Sequence, residues 1–141
     1  MIVGLRESLK LILEEGLPQV YARHARLAQA TRAGVQALGL QLFVKKPEYA
    51  SDAVTSVLAP PSISDAKKIV KLMRDKYGVT IVGGQDELES KILRLSHFGY
   101  CGEFDIVTAI AALELALNEL GHPVQFGTGT GAVLQFFARN P

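Results

Sequence analysis

The chain has 141 residues, 48% of them hydrophobic and 21% charged, with a mean hydropathy of +0.20, which excludes a disordered polar tail and predicts a single domain over residues 1–141. Fifteen Lys and Arg against fourteen Asp and Glu leave a formal charge of +1, without the concentrated positive field that nucleic-acid binding needs. The single cysteine, Cys101, can neither close an intramolecular disulfide nor build a CxxC metal site, and fits a reducing, cytoplasmic setting.

The chain reaches charge at once, at Arg6 and Glu7, so no export signal is expected at its start. Leu5, Leu9, Ile12 and Leu13, then Val20, His24, Leu27, Thr31, Val35 and Leu38, recur at helical spacing. Gly16-Leu17-Pro18 interrupts the pattern, predicting two helices or one kinked helix, and Gly39 supplies a stop. Leu40–Val44 and Ala53–Ala59 are short, alternating or β-branched, and bounded by prolines, which predicts strands. Ser64 is a candidate N-cap for a helix that turns Ala66, Ile69, Val70, Met73 and Tyr77 inward and ends at Gly78. The basic stripe on its other side, Lys67, Lys68, Lys71, Arg74 and Lys76, reads as a solvated face.

Val79–Val82 and Lys91–Leu95 read as two more strands around a polar loop. A last strong helix from about Glu103 carries Ile106, Ile110, Leu113, Leu117 and Leu120 and stops at Gly121, with Glu103 and Asp105 suiting its positive end. Its apolar run, Ala109–Leu113, stops at Glu114, far short of the roughly twenty residues that span a bilayer. Residues 122–141, with Gly127-Thr128-Gly129-Thr130-Gly131, read as a flexible tail rather than a phosphate cradle, because the run lacks both the GxGxxG spacing and a Walker lysine. The order predicts a two-layer α+β fold, a small, mainly antiparallel sheet with helices packed on one face.

Few residues offer chemistry. Cys101, at a helix start, has the setting for a lowered pKa, but the expected role is that of a small structural thiol. His24, on an apolar stripe, is expected to bond backbone, and His122 to cap a helix end; none of the His residues has metal-ligand spacing, so no metal site is predicted. Arg94 breaks the local rule: in Lys91-Ile92-Leu93-Arg94-Leu95 it stands among apolar residues and requires a partner. Its planar fork grips a carboxylate through two parallel hydrogen bonds, and that carboxylate belongs either to an internal Asp or Glu, the expectation from residue chemistry alone, or to a substrate.

Taken together, Leu5-Arg6-Glu7-Ser8-Leu9, Leu13-Glu14-Glu15-Gly16, Ala22-Arg23-His24, Tyr77-Gly78-Val79, Gly83-Gly84-Gln85 and Lys91-Ile92-Leu93-Arg94-Leu95-Ser96-His97-Phe98-Gly99 resemble the C-terminal part of the class V aminotransferases. The similarity is to the alanine– and serine–glyoxylate enzymes and to the cyanobacterial soluble-hydrogenase small (tritium-exchange) subunits. The resemblance implies the small domain of a fold type I enzyme that uses pyridoxal phosphate (PLP), moving an amino group from a small amino acid to glyoxylate or another 2-oxo acid. It implies that an N-terminal PLP-binding domain supplies the Schiff-base lysine, so that this chain alone binds no cofactor and holds no catalytic residue, and that the protein is a homo-oligomer. Lys91 does not match that lysine. Arg94 stands where the family's substrate-carboxylate arginine stands; Ser96 departs from a glycine common there and narrows the adjoining pocket, while His97, Gly83 and Gly84 shape the backbone. The alternative is a non-catalytic interaction module, a hydrogenase subunit, for which one cysteine cannot assemble an iron–sulfur cluster.

Overall fold

The computed structural model describes residues 2–140. Two helices open the chain, α1 (Ile2–Glu15) and α2 (Leu17–Ala37). Between them Gly16 sits at φ 88°, a left-handed conformation that costs a glycine nothing, and Pro18 lies in the first turn of α2, where no helical N–H is lost. Strand β1 (Val54–Leu58) follows, then α3 (Ala66–Tyr77), β2 (Val82–Gly83), β3 (Ile92–Ser96), α4 (Glu103–Glu119) and α5 (Thr128–Arg139).

The strands form an antiparallel sheet in the order β1-β3-β2. Register places Thr55 and Val57 beside Leu95 and Leu93, and all four are buried toward the helices. Leu27 and Val35 of α2, Ile69 and Met73 of α3, and Ile110, Leu113 and Leu117 of α4 complete this core. The opposite face carries Ser56, Arg94 and Val82 as one cross-strand row, and Val82 is half exposed. The α+β architecture with a small antiparallel sheet is therefore as expected.

Several elements differ from expectation. Leu40–Val44 is not a full strand: Leu42 bridges Val57, the Phe43 N–H donates to the Ser56 carbonyl (2.9 Å) and the Leu58 N–H to that of Gln41 (2.9 Å). The pairing ends where Pro47 starts a 3₁₀ turn over Pro47–Tyr49 and takes the chain off the sheet edge. Val79–Ile81 do not pair either, because the Val79 N–H closes the end of α3 on the Met73 carbonyl (3.0 Å), and β2 begins only at Val82. The N-cap of α3 is Asp65 rather than Ser64, its carboxylate accepting the Lys67 N–H at 2.9 Å.

The largest correction is at the C-terminus, where the glycine run expected as a flexible tail starts α5. A Cβ on Gly34 of α2 would stand 2.7 Å from Val133, and one on Gly129 of α5 would stand 2.8 Å from Leu38. The glycines are there because helices cross closely, not because the chain is loose.

Candidate functional site

Arg94 lies in the middle of β3, opposite Ser56 on one side and Val82 on the other. Alternation along the strand turns it away from the core, which takes Leu93 and Leu95. Its Nε–H donates to the Gly83 carbonyl at 2.8 Å. Among the described residues no carboxylate pairs with it, and its Nη1 and Nη2 groups make no hydrogen bond. The internal salt bridge expected from residue chemistry alone is absent, because the row across the sheet offers Ser56 and Val82 rather than an acid. The half-buried fork borders a cavity of about 390 Å³, whose wall includes Ser96, Thr80, Cys101 and Asp105. It can take an external carboxylate through its two terminal nitrogens.

The other candidates have structural roles. His97 is fully buried, with Nδ1–H donating to the Asp52 carbonyl (2.9 Å) and Nε2 accepting from the Thr55 hydroxyl (2.9 Å). A carbonyl can only accept, which sets this tautomer. Burial lowers its pKa from 6.5 to about 4, so the ring is neutral at pH 7. Burial, reinforced by Asp105, pushes the Cys101 thiol up, the reverse of an activated nucleophile. His122 caps α4 with its backbone N–H on the Leu117 carbonyl (2.9 Å), and its ring Nδ1 meets the Ser62 hydroxyl.

His24 differs from expectation: its buried Nε2 has no hydrogen-bond partner among the described residues. The ring borders a cavity of about 290 Å³ between α1, α2 and residues 98–100. Lys91 is exposed, just before β3, and borders a different cavity from that of Arg94. Among the described residues no cluster of three or more His, Cys, Asp or Glu is placed to hold a metal, and no helix is long and apolar enough to cross a membrane.

Residue patterns missed one buried charge. Glu114 of α4 is 4% exposed, and its carboxylate accepts the N–H groups of Gly127 (2.8 Å) and Thr130 (2.9 Å) at the start of α5. The signal available was an acid on the apolar face of a helix, which must meet donors.

The chain matches no family model. It is 40% identical over 141 residues to the serine–glyoxylate aminotransferase of Methylorubrum extorquens, covering 100% of this chain and 35% of that one. It is 41% identical over 131 residues to the soluble hydrogenase 42 kDa subunit of Anabaena cylindrica, covering 93% of this chain and 33% of that one. The ureidoglycine–glyoxylate aminotransferase structure from Bacillus subtilis superposes with a TM-score of 0.90 at 30% identity, over 95% of this chain and 34% of that one. The chain thus spans about a third of the length of the curated relatives it matches. With the sheet, the helix order and the sequence in agreement along almost its whole length, the chain belongs to the class V aminotransferase family, in which it corresponds to the C-terminal part.

Proposed function

We propose that this chain is the small domain of a PLP-dependent aminotransferase that passes the amino group of a small amino acid to glyoxylate or another 2-oxo acid, and that Arg94 holds the substrate carboxylate. The observation that carries this reading is the Arg94 fork, anchored at Nε yet without an acidic partner at Nη1 and Nη2 among the described residues. Held there, the carboxylate fixes the orientation of the substrate, and orientation of this kind accelerates a reaction. The residues beside Arg94 do not fit a Schiff-base cofactor site, since no lysine borders its cavity. No step at the cofactor is assigned to this chain, and PLP belongs to an N-terminal domain acting as its partner. We further infer a homo-oligomer working in the cytoplasm.

The test is kinetic, in a full-length aminotransferase carrying this chain as its C-terminal third. Arg94→Lys keeps the charge and loses the fork; Arg94→Ala loses both. Each should lower kcat/KM for amino-acid substrates, by about ten- to a hundredfold for a lost charge-assisted pair. Unchanged kinetics in Arg94→Ala would overturn the assignment. A second reading, an interaction module within a hydrogenase assembly, draws on the similarity to the Anabaena subunit. It is favoured if the full-length protein binds such an assembly and Arg94→Ala changes neither binding nor transamination.

A further inference from the structure

Resting on the reading of Arg94 as the carboxylate ligand, we propose that Gly84 is its positioning residue. Gly84 holds the peptide that anchors Nε, so that the substrate carboxylate is taken end-on by Nη1 and Nη2. The Gly83 carbonyl that receives the Nε–H (2.8 Å) belongs to the peptide joining Gly83 to Gly84. The other side of that peptide is tied to β3, the Gly84 N–H donating to the Ile92 carbonyl at 3.1 Å. The peptide is thus strung between two residues of the strand that carries Arg94.

Only a glycine lets it lie there. A Cβ on Gly84 would stand 1.9 Å from the Leu88 carbonyl oxygen, 2.4 Å from its carbon and 2.9 Å from Ile92 Cγ1. The obstruction is backbone and cannot swing aside. The Leu88 carbonyl itself accepts the Lys91 N–H (3.0 Å) at the entry to β3, and the 3₁₀ turn Asp86–Leu88 that presents it already holds Asp86 at φ 49°, a left-handed conformation. A side chain at position 84 must therefore displace either the turn or the peptide that anchors Arg94. Position 83 is different: a Cβ there comes no closer than 3.8 Å to a neighbour. With Nε occupied, the side-on approach through Nε and one Nη is closed, and the end-on pair remains.

Two alanines test this, one at Gly84 and one at Gly131 of α5, where a Cβ would meet nothing within 4 Å. In the full-length enzyme, Gly84→Ala should raise KM for both amino acid and 2-oxo acid about ten- to a hundredfold with kcat changed by less than about threefold, the pattern of lost ground-state binding, while Gly131→Ala should leave both within about twofold. The second measurement is the Arg94 ¹⁵Nε–¹H resonance of this chain, expected to be protected from exchange in the unaltered protein and in Gly131→Ala and unprotected in Gly84→Ala. A Gly84→Ala enzyme that is only less heat-stable, with KM unchanged while Arg94→Ala raises it, overturns the positioning role. An Arg94→Ala enzyme with unchanged KM overturns the carboxylate reading instead. If Gly84→Ala does not fold, exchange in the unaltered chain decides: an Arg94 Nε–H as labile as that of the exposed Arg6 overturns the proposal.

Discussion

At the scale of single residues, Arg94 in β3 and His97 just past its end show how three positions along the chain separate a half-buried side chain from a fully buried one. Odd positions of β3 point into the core, so Leu93 and Leu95 are buried, as is His97 one residue past the strand, and Arg94 faces outward. The histidine yields a pH prediction. Its folded pKa lies below its unfolded value, about 4 against 6.5, with burial the first cause and the Arg32 cation a lesser one. Between those values the unfolded chain carries the extra proton, so the stability this neutral ring supports is complete above pH 6.5 and is lost as the pH falls to 4. At about 1.4 kcal/mol per pH unit the loss is about 3 kcal/mol. Urea unfolding at pH 7 and pH 4 measures it, and His97→Gln should lose that part of the acid sensitivity; equal acid sensitivity in the two proteins refutes the assignment.

At the scale of elements, α5 and α1 take opposite positions. Helix α5 has no cap of its own: Gly127, at φ 83°, offers no side chain, and Glu114 of α4 supplies the acceptor instead. A carboxylate at the positive end of a helix, bonded to two N–H groups, is a favourable use of a buried charge. Glu114→Ala removes the acceptor of those partly buried donors and should cost about 2–4 kcal/mol, read by thermal or denaturant unfolding, with hydrogen exchange rising first in residues 128–139. Loss of stability without faster exchange in α5 would place the effect elsewhere.

Helix α1, in contrast, buries no residue, and Ile2, Leu5, Leu9 and Leu13 are 83%, 60%, 50% and 74% exposed. Full burial of each such side chain gains roughly 1.5–3 kcal/mol. The chain in isolation should therefore self-associate through this stripe, and Leu5→Glu with Leu9→Glu should return it to a monomer in light scattering. A monomeric unaltered chain shows the stripe to be tolerated in water.

At the scale of the whole molecule, a chain that spans about a third of its curated relatives presents the Arg94 fork to a cavity that no lysine borders. The purified chain should accordingly show no transaminase turnover and, after incubation with PLP and dialysis, no visible absorbance of a bound imine. A stoichiometric imine on any of its lysines overturns the division of labour proposed for the two domains.

Residue spacing by itself determined the helices over residues 17–37, 66–77 and 103–119, the glycine breaks between them and the α+β class, because apolar periodicity and backbone freedom are local properties. The oddity of Arg94 was also legible, since a charge among apolar strand residues is visible without coordinates. What that charge meets was not, and neither was the purpose of the C-terminal glycines. Gly129 reads alike in a linker and at a helix crossing until Leu38 is found 2.8 Å from where its Cβ would be. Arg94 reads alike with and without an internal acid beside it until the sheet register sets Ser56 and Val82 there. Both were decided by contacts between segments far apart in the chain, which no local pattern encodes.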